Sequence, residues 1–128
     1  MNEVEKNFGF NAGKLWDILN ADGPQVQTKI MNKAGLTNEE FYGALGWLAR
    51  ENKVCKEKRT YKIGETNLTS EIGSNAGKVW QILTKSSDID ITAIAREANI
   101  AKTDCYAAIG WLAREGKVTG KVMVKKKK

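Results

Sequence analysis

The chain has 128 residues, a formal net charge of +6, two cysteines and no histidine. No apolar run approaches the roughly 20 residues of a membrane span, and the N-terminal residues lack a signal-peptide core, so we expect a cytoplasmic protein with no membrane contact. Without histidine the commonest catalytic base and metal ligand is missing, so the composition predicts no enzyme activity, no metal site and no cofactor.

An internal repeat organises the sequence. Residues 11–54 return as residues 75–118, with 20 of 44 positions identical and no slip in register. Repetition at a fixed spacing indicates duplication of one structural unit. We therefore predict two tandem domains, residues 1–64 and residues 65–128 with a basic tail, that pack on each other as a pseudo-dimer because domains of this size bury little alone.

The first predicted element of each repeat is a helix. Apolar residues at helical spacing run through residues 12–19, and Asn11 or its equivalent Asn75 is a suitable N-cap. Phe8 and Ile72 lie four residues before this stripe, so the alternative is that the helix begins before Asn11. Gly13 and Gly77 lie inside this stripe. We expect these glycines to let the helix approach a neighbouring element closely.

Two more helices follow in each repeat. A short extended stretch near Val26 leads to Thr28, a predicted N-cap, and the second helix should end at Gly35. The third and longest helix should stop at Asn52. In the second repeat the extended stretch holds Ile89 and Ile91, the predicted N-cap is Thr92, and the helices should end at Asn99 and Gly116. The predicted core faces of the third helices carry Phe41, Ala44, Leu45 and Leu48, and Cys105, Ala108, Ile109 and Leu112.

Each repeat ends in a β-prone segment, at residues 53–63 and residues 117–124, which predicts a hairpin. Helix, short strand, helix, tight turn, long helix and hairpin is the order of a winged helix-turn-helix domain. The predicted fold class is therefore mainly α with small β-hairpins, built as two tandem winged helix-turn-helix domains.

Two strings in each repeat also carry a resemblance to a known family. Residues 11–19 and 46–54, and their equivalents 75–83 and 110–118, are similar to a family of small uncharacterised prokaryotic winged-helix proteins that have one domain per chain. The resemblance covers nearly the whole chain. It implies the winged-helix fold, and it implies no catalytic or base-reading residues because none are assigned in that family.

Positive charge is concentrated in the two hairpins. Residues 53–62 hold five basic side chains and one acidic one, and residues 117–128 hold six lysines and no acid. Wings of this kind contact phosphates, although lysines on an edge strand also serve to block aggregation. The predicted nucleic-acid-binding residues are Lys53, Lys56, Lys58, Arg59, Lys62, Lys102, Thr103, Lys117 and Lys121.

The outward face of the long helix does not suit a DNA groove. Its side chains are small or aromatic, and Glu39 and Glu40 lie at the N-terminal turn, where they would repel phosphate. We expect this face to bury against the other repeat or a partner, the alternative being that Trp47 and Trp111 only cover the hairpin of their own domain. The predicted interface residues are Tyr42, Gly43, Gly46, Trp47, Arg50, Tyr106, Ala107, Gly110, Trp111 and Arg114.

Two functions fit these patterns. The first is nucleic-acid binding, with DNA as the expected ligand, mainly through the basic wings. The alternative is a protein-interaction adaptor that receives a protein partner on the small and aromatic face of the long helices. The charge distribution favours the first, and the composition of the long helices favours the second.

Overall fold

A computed structural model describes residues 3–85, 89–119 and 123–126. The first repeat consists of α1 (Glu3–Asp22), β1 (Gln25–Val26), α2 (Gln27–Ala34), α3 (Asn38–Arg50), β2 (Val54–Glu57) and β3 (Thr60–Ile63). The second repeat consists of a π-helical turn (Thr69–Gly73), α4 (Ser74–Lys85), β4 (Ile89–Asp90), α5 (Ile91–Ala98), α6 (Lys102–Arg114), β5 (Val118–Thr119) and β6 (Met123–Lys126). The predicted order of helices and hairpin is confirmed in both repeats.

The helix ends follow the predicted left-handed positions. Gly35 and Asn99 end the second helices with φ of 68° and 58°. Asn52 and Gly116 follow the long helices with φ of 60° and 73°. These positions suit glycine and asparagine because other side chains rarely adopt positive φ.

The first helices begin before Asn11 and Asn75, which confirms the earlier start indicated by Phe8 and Ile72, and the N-cap assignments of Asn11 and Asn75 were wrong. Both residues lie inside helices, since α1 starts at Glu3 and the π-helical turn at Thr69 leads directly into α4. Asn11 is itself buried. The apolar stripe extends upstream into residues that pack between the repeats, and this burial extends the helix beyond the predicted cap.

The N-caps of the second helices were also misplaced. Val26 and Asp90 occupy these positions instead of Thr28 and Thr92. The carboxylate of Asp90 accepts a hydrogen bond of 2.8 Å from the backbone nitrogen of Ala93. Aspartate caps a helix at least as well as threonine, so the helix begins where the aspartate stands.

Each hairpin is part of a three-stranded antiparallel sheet. The short strand before the second helix joins as the third strand, giving the orders β1-β3-β2 and β4-β6-β5. In the first sheet Val54 pairs with Ile63, and Gln25 pairs with Tyr61. Val54 and Tyr61 are buried, so one face of this sheet closes the core of the first repeat.

The two cores interlock. The predicted core faces of α3 and α6 are all buried, as expected. The core of the first repeat also takes in Leu68, Ile72 and Ala107 from the second repeat, while Phe8 of the first repeat packs against the second core. Each repeat therefore completes part of its hydrophobic core with residues of the other.

Candidate nucleic-acid interface

The tip of the first wing is a tight turn that carries basic residues. Glu57 pairs with Thr60, which leaves Lys58 and Arg59 as the two loop residues. Lys58 adopts a φ of 58°. Lys56 near the end of β2 and the loop residues Lys58 and Arg59 are all exposed, so the tip of the wing presents three cations to the solvent.

Neighbouring side chains neutralise some of the wing charge. The Lys62 ammonium lies 2.5 Å from a carboxylate oxygen of Glu57. This hydrogen bond and the charge attraction raise the pKa of Lys62 and lower that of Glu57. Lys56 lies over the ring of Tyr61 at 5.6 Å, and within the described part of the chain Lys56, Lys58 and Arg59 have no ion-pair partner. These three are the available cations of the wing.

The lysines at the base of each wing are shared with glutamates. Lys53 lies 3.6 Å from Glu51, and Lys117 lies 3.4 Å from Glu115. The ammonium of Lys117 also stands 5.3 Å from the centroid of the Trp80 ring. Their electrostatic contribution to phosphate binding is therefore smaller than that of the wing tip.

The second wing is one residue shorter than the first. Val118 pairs with Lys126, whereas the equivalent Val54 pairs with Ile63. Lys121 lies outside the described residues. Of the other two predicted contacts of this repeat, Lys102 is exposed and Thr103 is half-buried in the first turn of α6.

The N-terminal turn of α3 keeps its negative charge. Glu39 is exposed, and Glu40 forms a capping box with Thr37, in which each side chain bonds to the backbone nitrogen of the other. Burial raises the pKa of Tyr106 on α6, and the nearby Glu39 carboxylate adds to that rise. The exposed Glu39 carboxylate makes this end of α3 unfavourable for a phosphate.

The long helices pack closely on each other at their glycines. A Cβ added to Gly46 would lie 1.8 Å from the carbonyl oxygen of Ala107, and one added to Gly110 would lie 1.9 Å from the carbonyl oxygen of Gly43. Backbone therefore meets backbone at this crossing. Because the other repeat covers these glycines, this part of α3 and α6 cannot enter a DNA groove or receive a protein partner.

Reciprocal contacts flank the crossing. Arg50 donates a hydrogen bond of 2.9 Å to Glu115, and Arg114 donates one of 2.9 Å to Glu51. Each guanidinium also lies near a tryptophan of the other repeat, Arg50 at 5.7 Å from the Trp111 ring and Arg114 at 5.9 Å from the Trp47 ring. The order of contacts is the same along both helices, so α3 and α6 lie side by side with equivalent residues close together.

The side chains of Trp47 and Trp111 pack against the first helical segment of their own repeat. A Cβ at Gly9 would be 3.0 Å from the Trp47 ring, and one at Gly73 would be 3.2 Å from the Trp111 ring. Trp47 also packs against the core of the second repeat, and Trp111 against that of the first. They therefore do more than cover a hairpin. Of the two remaining interface residues, Tyr42 donates a hydrogen bond of 3.3 Å to Gln27, and Tyr106 is half-buried.

Comparison with known proteins agrees with this architecture. The model of a winged helix-turn-helix domain family of unknown function (DUF2582) matches residues 1–64 and again residues 66–126. The chain belongs to this family. A search of curated proteins and a search of solved structures found no match. Membership of DUF2582 confirms the tandem winged-helix fold and links the chain to nucleic-acid binding only at the level of that fold.

Among the described residues, this DUF2582 chain has no helix that is both long and apolar enough to cross a membrane. No three side chains of the metal-binding types cluster within the same ranges.

The expectation that Gly13 and Gly77 permit close packing was wrong, because a Cβ at either position would have no atom within 4 Å. The residue pattern did not predict the open space above these two glycines, although both repeats retain them.

Proposed function

We propose that the chain is a non-enzymatic nucleic-acid-binding protein that contacts the phosphates of DNA mainly through its basic wings. The supporting observation is the tip of the first wing, where Lys56, Lys58 and Arg59 are exposed and, among the described residues, unpaired with any carboxylate. Cations in this arrangement release counterions when they meet phosphates, which gives affinity with little sequence preference.

The packing of the long helices supports contact through the wings. In many winged-helix proteins the long helix reads the major groove. Here the glycines of α3 and α6 face each other, and Glu39 adds negative charge at the N-terminal end of α3. Lys56, Lys58 and Arg59 of the first wing then remain as exposed cations that have no ion-pair partner among the described residues. The same packing makes the adaptor alternative less favourable, because its proposed docking face is the one that the repeats bury.

The test is a titration with mixed-sequence duplex DNA over a series of salt concentrations. Neutralising Lys56, Lys58 and Arg59 together should weaken binding and reduce the logarithmic salt slope by up to about 2.7, since each phosphate that the protein no longer neutralises lowers the slope by about 0.9.

A matched control removes the same charge elsewhere. Lys6, Lys78 and Lys85 are exposed and lie outside the wings. Replacing these three lysines with neutral residues should leave most of the slope intact. Equal losses in both variants would mean that only net charge matters, and full retention in the wing variant would place the contact elsewhere. If the unmutated protein fails to bind even at roughly 50 mM salt, where backbone contacts are strongest, the proposal is wrong.

A further inference from the structure

A cleft between the first helix and the long helix occurs twice, once in each repeat. The first has a volume of about 280 Å³ and the second about 210 Å³. Nine residues line the first cleft, and eight of them have an identical residue at the equivalent position of the second. Over residues 11–54 only 20 of 44 positions are identical between the repeats. The clefts are therefore better preserved within this chain than the repeats as a whole.

Packing does not explain the glycines that lie at each cleft. Gly13 and Gly77 stand inside α1 and α4, where glycine is less favourable than alanine. Neither has positive φ, and a Cβ at either would have no atom within 4 Å. Both repeats nevertheless keep glycine, which leaves the space above the helix open. Retention of an unfavourable residue at an open position points to a ligand that uses the space.

The walls of the clefts favour a flat ring. The chain has four tryptophans, and all of them line the two clefts, Trp16 and Trp47 in the first and Trp80 and Trp111 in the second. All four are half-buried, so each indole retains exposed surface. Aromatic rings of this kind stack on planar groups, and volumes of this size suit one ring system rather than a larger molecule.

The charges around the clefts argue against a cationic ligand. Glu51 already lies 2.9 Å from Arg114 and 3.6 Å from Lys53. Its equivalent in the second cleft is held in the same way by an arginine and a lysine. The other carboxylate of the first cleft, Asp17, has glutamine at the equivalent position. The shared chemistry is thus two indoles beside a lysine, which suits a neutral ring that carries an anionic group.

We propose that each cleft stacks one unpaired nucleobase of a single strand, with Lys53 or Lys117 facing its phosphate. This inference rests on the proposed function, because each of these lysines stands directly before the first strand of a wing. The extended protein backbone from Lys58 to Lys53 spans about 16 Å. A nucleic-acid strand that follows the cations of the first wing over this distance reaches Lys53. Base stacking on tryptophan is tolerant of sequence, which agrees with recognition that depends on phosphates.

The test uses the full chain with oligothymidylate and with mixed-sequence duplex DNA, measuring affinity by anisotropy and stacking by tryptophan fluorescence. Every tryptophan lies at a cleft, so a stacked base should quench the fluorescence. Changing both Gly13 and Gly77 to leucine fills the clefts, and it should abolish quenching and weaken oligothymidylate binding about tenfold or more. Duplex affinity and its salt slope should stay within about twofold because the wings are untouched.

The matched control places leucine at Asn20 and Thr84, an equivalent and exposed pair on the same two helices. Its binding should equal that of the unmutated protein. A milder variant, with alanine at Gly13 and Gly77, should show an intermediate loss, and thermal melts should show that both glycine variants remain folded.

Failure of this inference is distinguishable from failure of the proposed function. If duplex and single strand bind but no quenching occurs, or if the leucine variant binds oligothymidylate normally, the cleft is not a base site and the wing proposal stands. Equal quenching by thymidine monophosphate at the same nucleotide concentration would assign the cleft to a free nucleotide instead. Quenching by an aromatic peptide but not by oligothymidylate would assign it to a protein side chain. Absence of all nucleic-acid binding overturns both proposals.

Discussion

Replacing glycine by alanine at two helix positions of the same chain should change stability in opposite directions. At Gly46 the new methyl group would lie 1.8 Å from the carbonyl oxygen of Ala107 and 3.0 Å from the backbone nitrogen of Trp111. At Gly13 it would meet no atom within 4 Å. Both substitutions raise helix propensity and reduce the freedom of the unfolded chain in the same way, so the difference between them measures the contact between the long helices.

The size of the effect follows from that distance. Cβ atoms essentially never approach another heavy atom within 3.0 Å, so α3 and α6 must separate locally by about 1.2 Å to admit the methyl group. A gap of this size removes a large part of the dispersion energy across the interface, and overpacking typically costs about 1–3 kcal/mol. The gain in helix propensity offsets about 1 kcal/mol at most. Because the clash is with backbone, we expect Gly46→Ala to lose about 1–2 kcal/mol and Gly13→Ala to gain about 0.5–1 kcal/mol.

The assay is thermal and urea unfolding followed by circular dichroism. For a chain of this size each kcal/mol corresponds to roughly 4 °C in melting temperature, so the two variants should differ by several degrees, with the unmutated protein between them. Gly110→Ala should behave like Gly46→Ala, because its methyl group would lie 1.9 Å from the carbonyl oxygen of Gly43. A melting temperature for Gly46→Ala at or above that of the unmutated protein would refute the close contact of α3 and α6.

Three further predictions follow from the charges and burial described above. Changing Glu39 and Glu40 to glutamine should leave duplex binding unchanged or strengthen it, since glutamine retains the capping box while the repulsion of phosphate is removed; weaker binding in a titration would place a contact on α3. Arg50→Glu should lower the melting temperature by placing two carboxylates together, and adding Glu115→Arg should restore most of it, with a double-mutant coupling of about 0.2–1 kcal/mol because the pair is partly exposed. Burial raises the pKa of Tyr61 to about 12 from its ordinary value of 10.0, so the folded state holds this proton more tightly and stability should fall between pH 10 and 12; in urea melts over this range Tyr61→Phe should show a smaller fall, and an identical fall would exclude Tyr61 as a cause.

The order of elements was readable from the sequence because it depends on local patterns. The apolar stripe of α3 and the left-handed positions at Gly35 and Asn99 are properties of residues close together in the chain, and the structure has them as predicted. The start of α1 was only partly readable in this way. Phe8 lies four residues before the stripe and indicated an earlier start, but the sequence does not show that Phe8 packs against residues of the other repeat. Contacts between distant segments leave the exact end of a helix unspecified.

The surfaces were only partly predictable for the same reason. Charge counts identified the basic segment of the first wing, but they could not show that Lys62 bonds to Glu57 across the hairpin while Lys58 stays free of carboxylates among the described residues. A helical position likewise does not say whether a glycine lies under another backbone or under open space. Gly46 and Gly13 look alike in the sequence, and only the tertiary packing separates them.

The interlocked arrangement of the repeats has a consequence for symmetry. In an assembly of identical chains, each position must serve both sides, whereas here equivalent positions carry different residues. Phe8 lies beside Gly43 in the first repeat. In the second repeat the equivalent pair is Ile72 and Ala107, with a smaller side chain in place of phenylalanine and a larger one in place of glycine. The long helices likewise differ at Glu39 and its equivalent Thr103. The chain is therefore directional, and a ligand that spans both halves should bind in one preferred orientation, without the palindromic form that a true twofold protein selects.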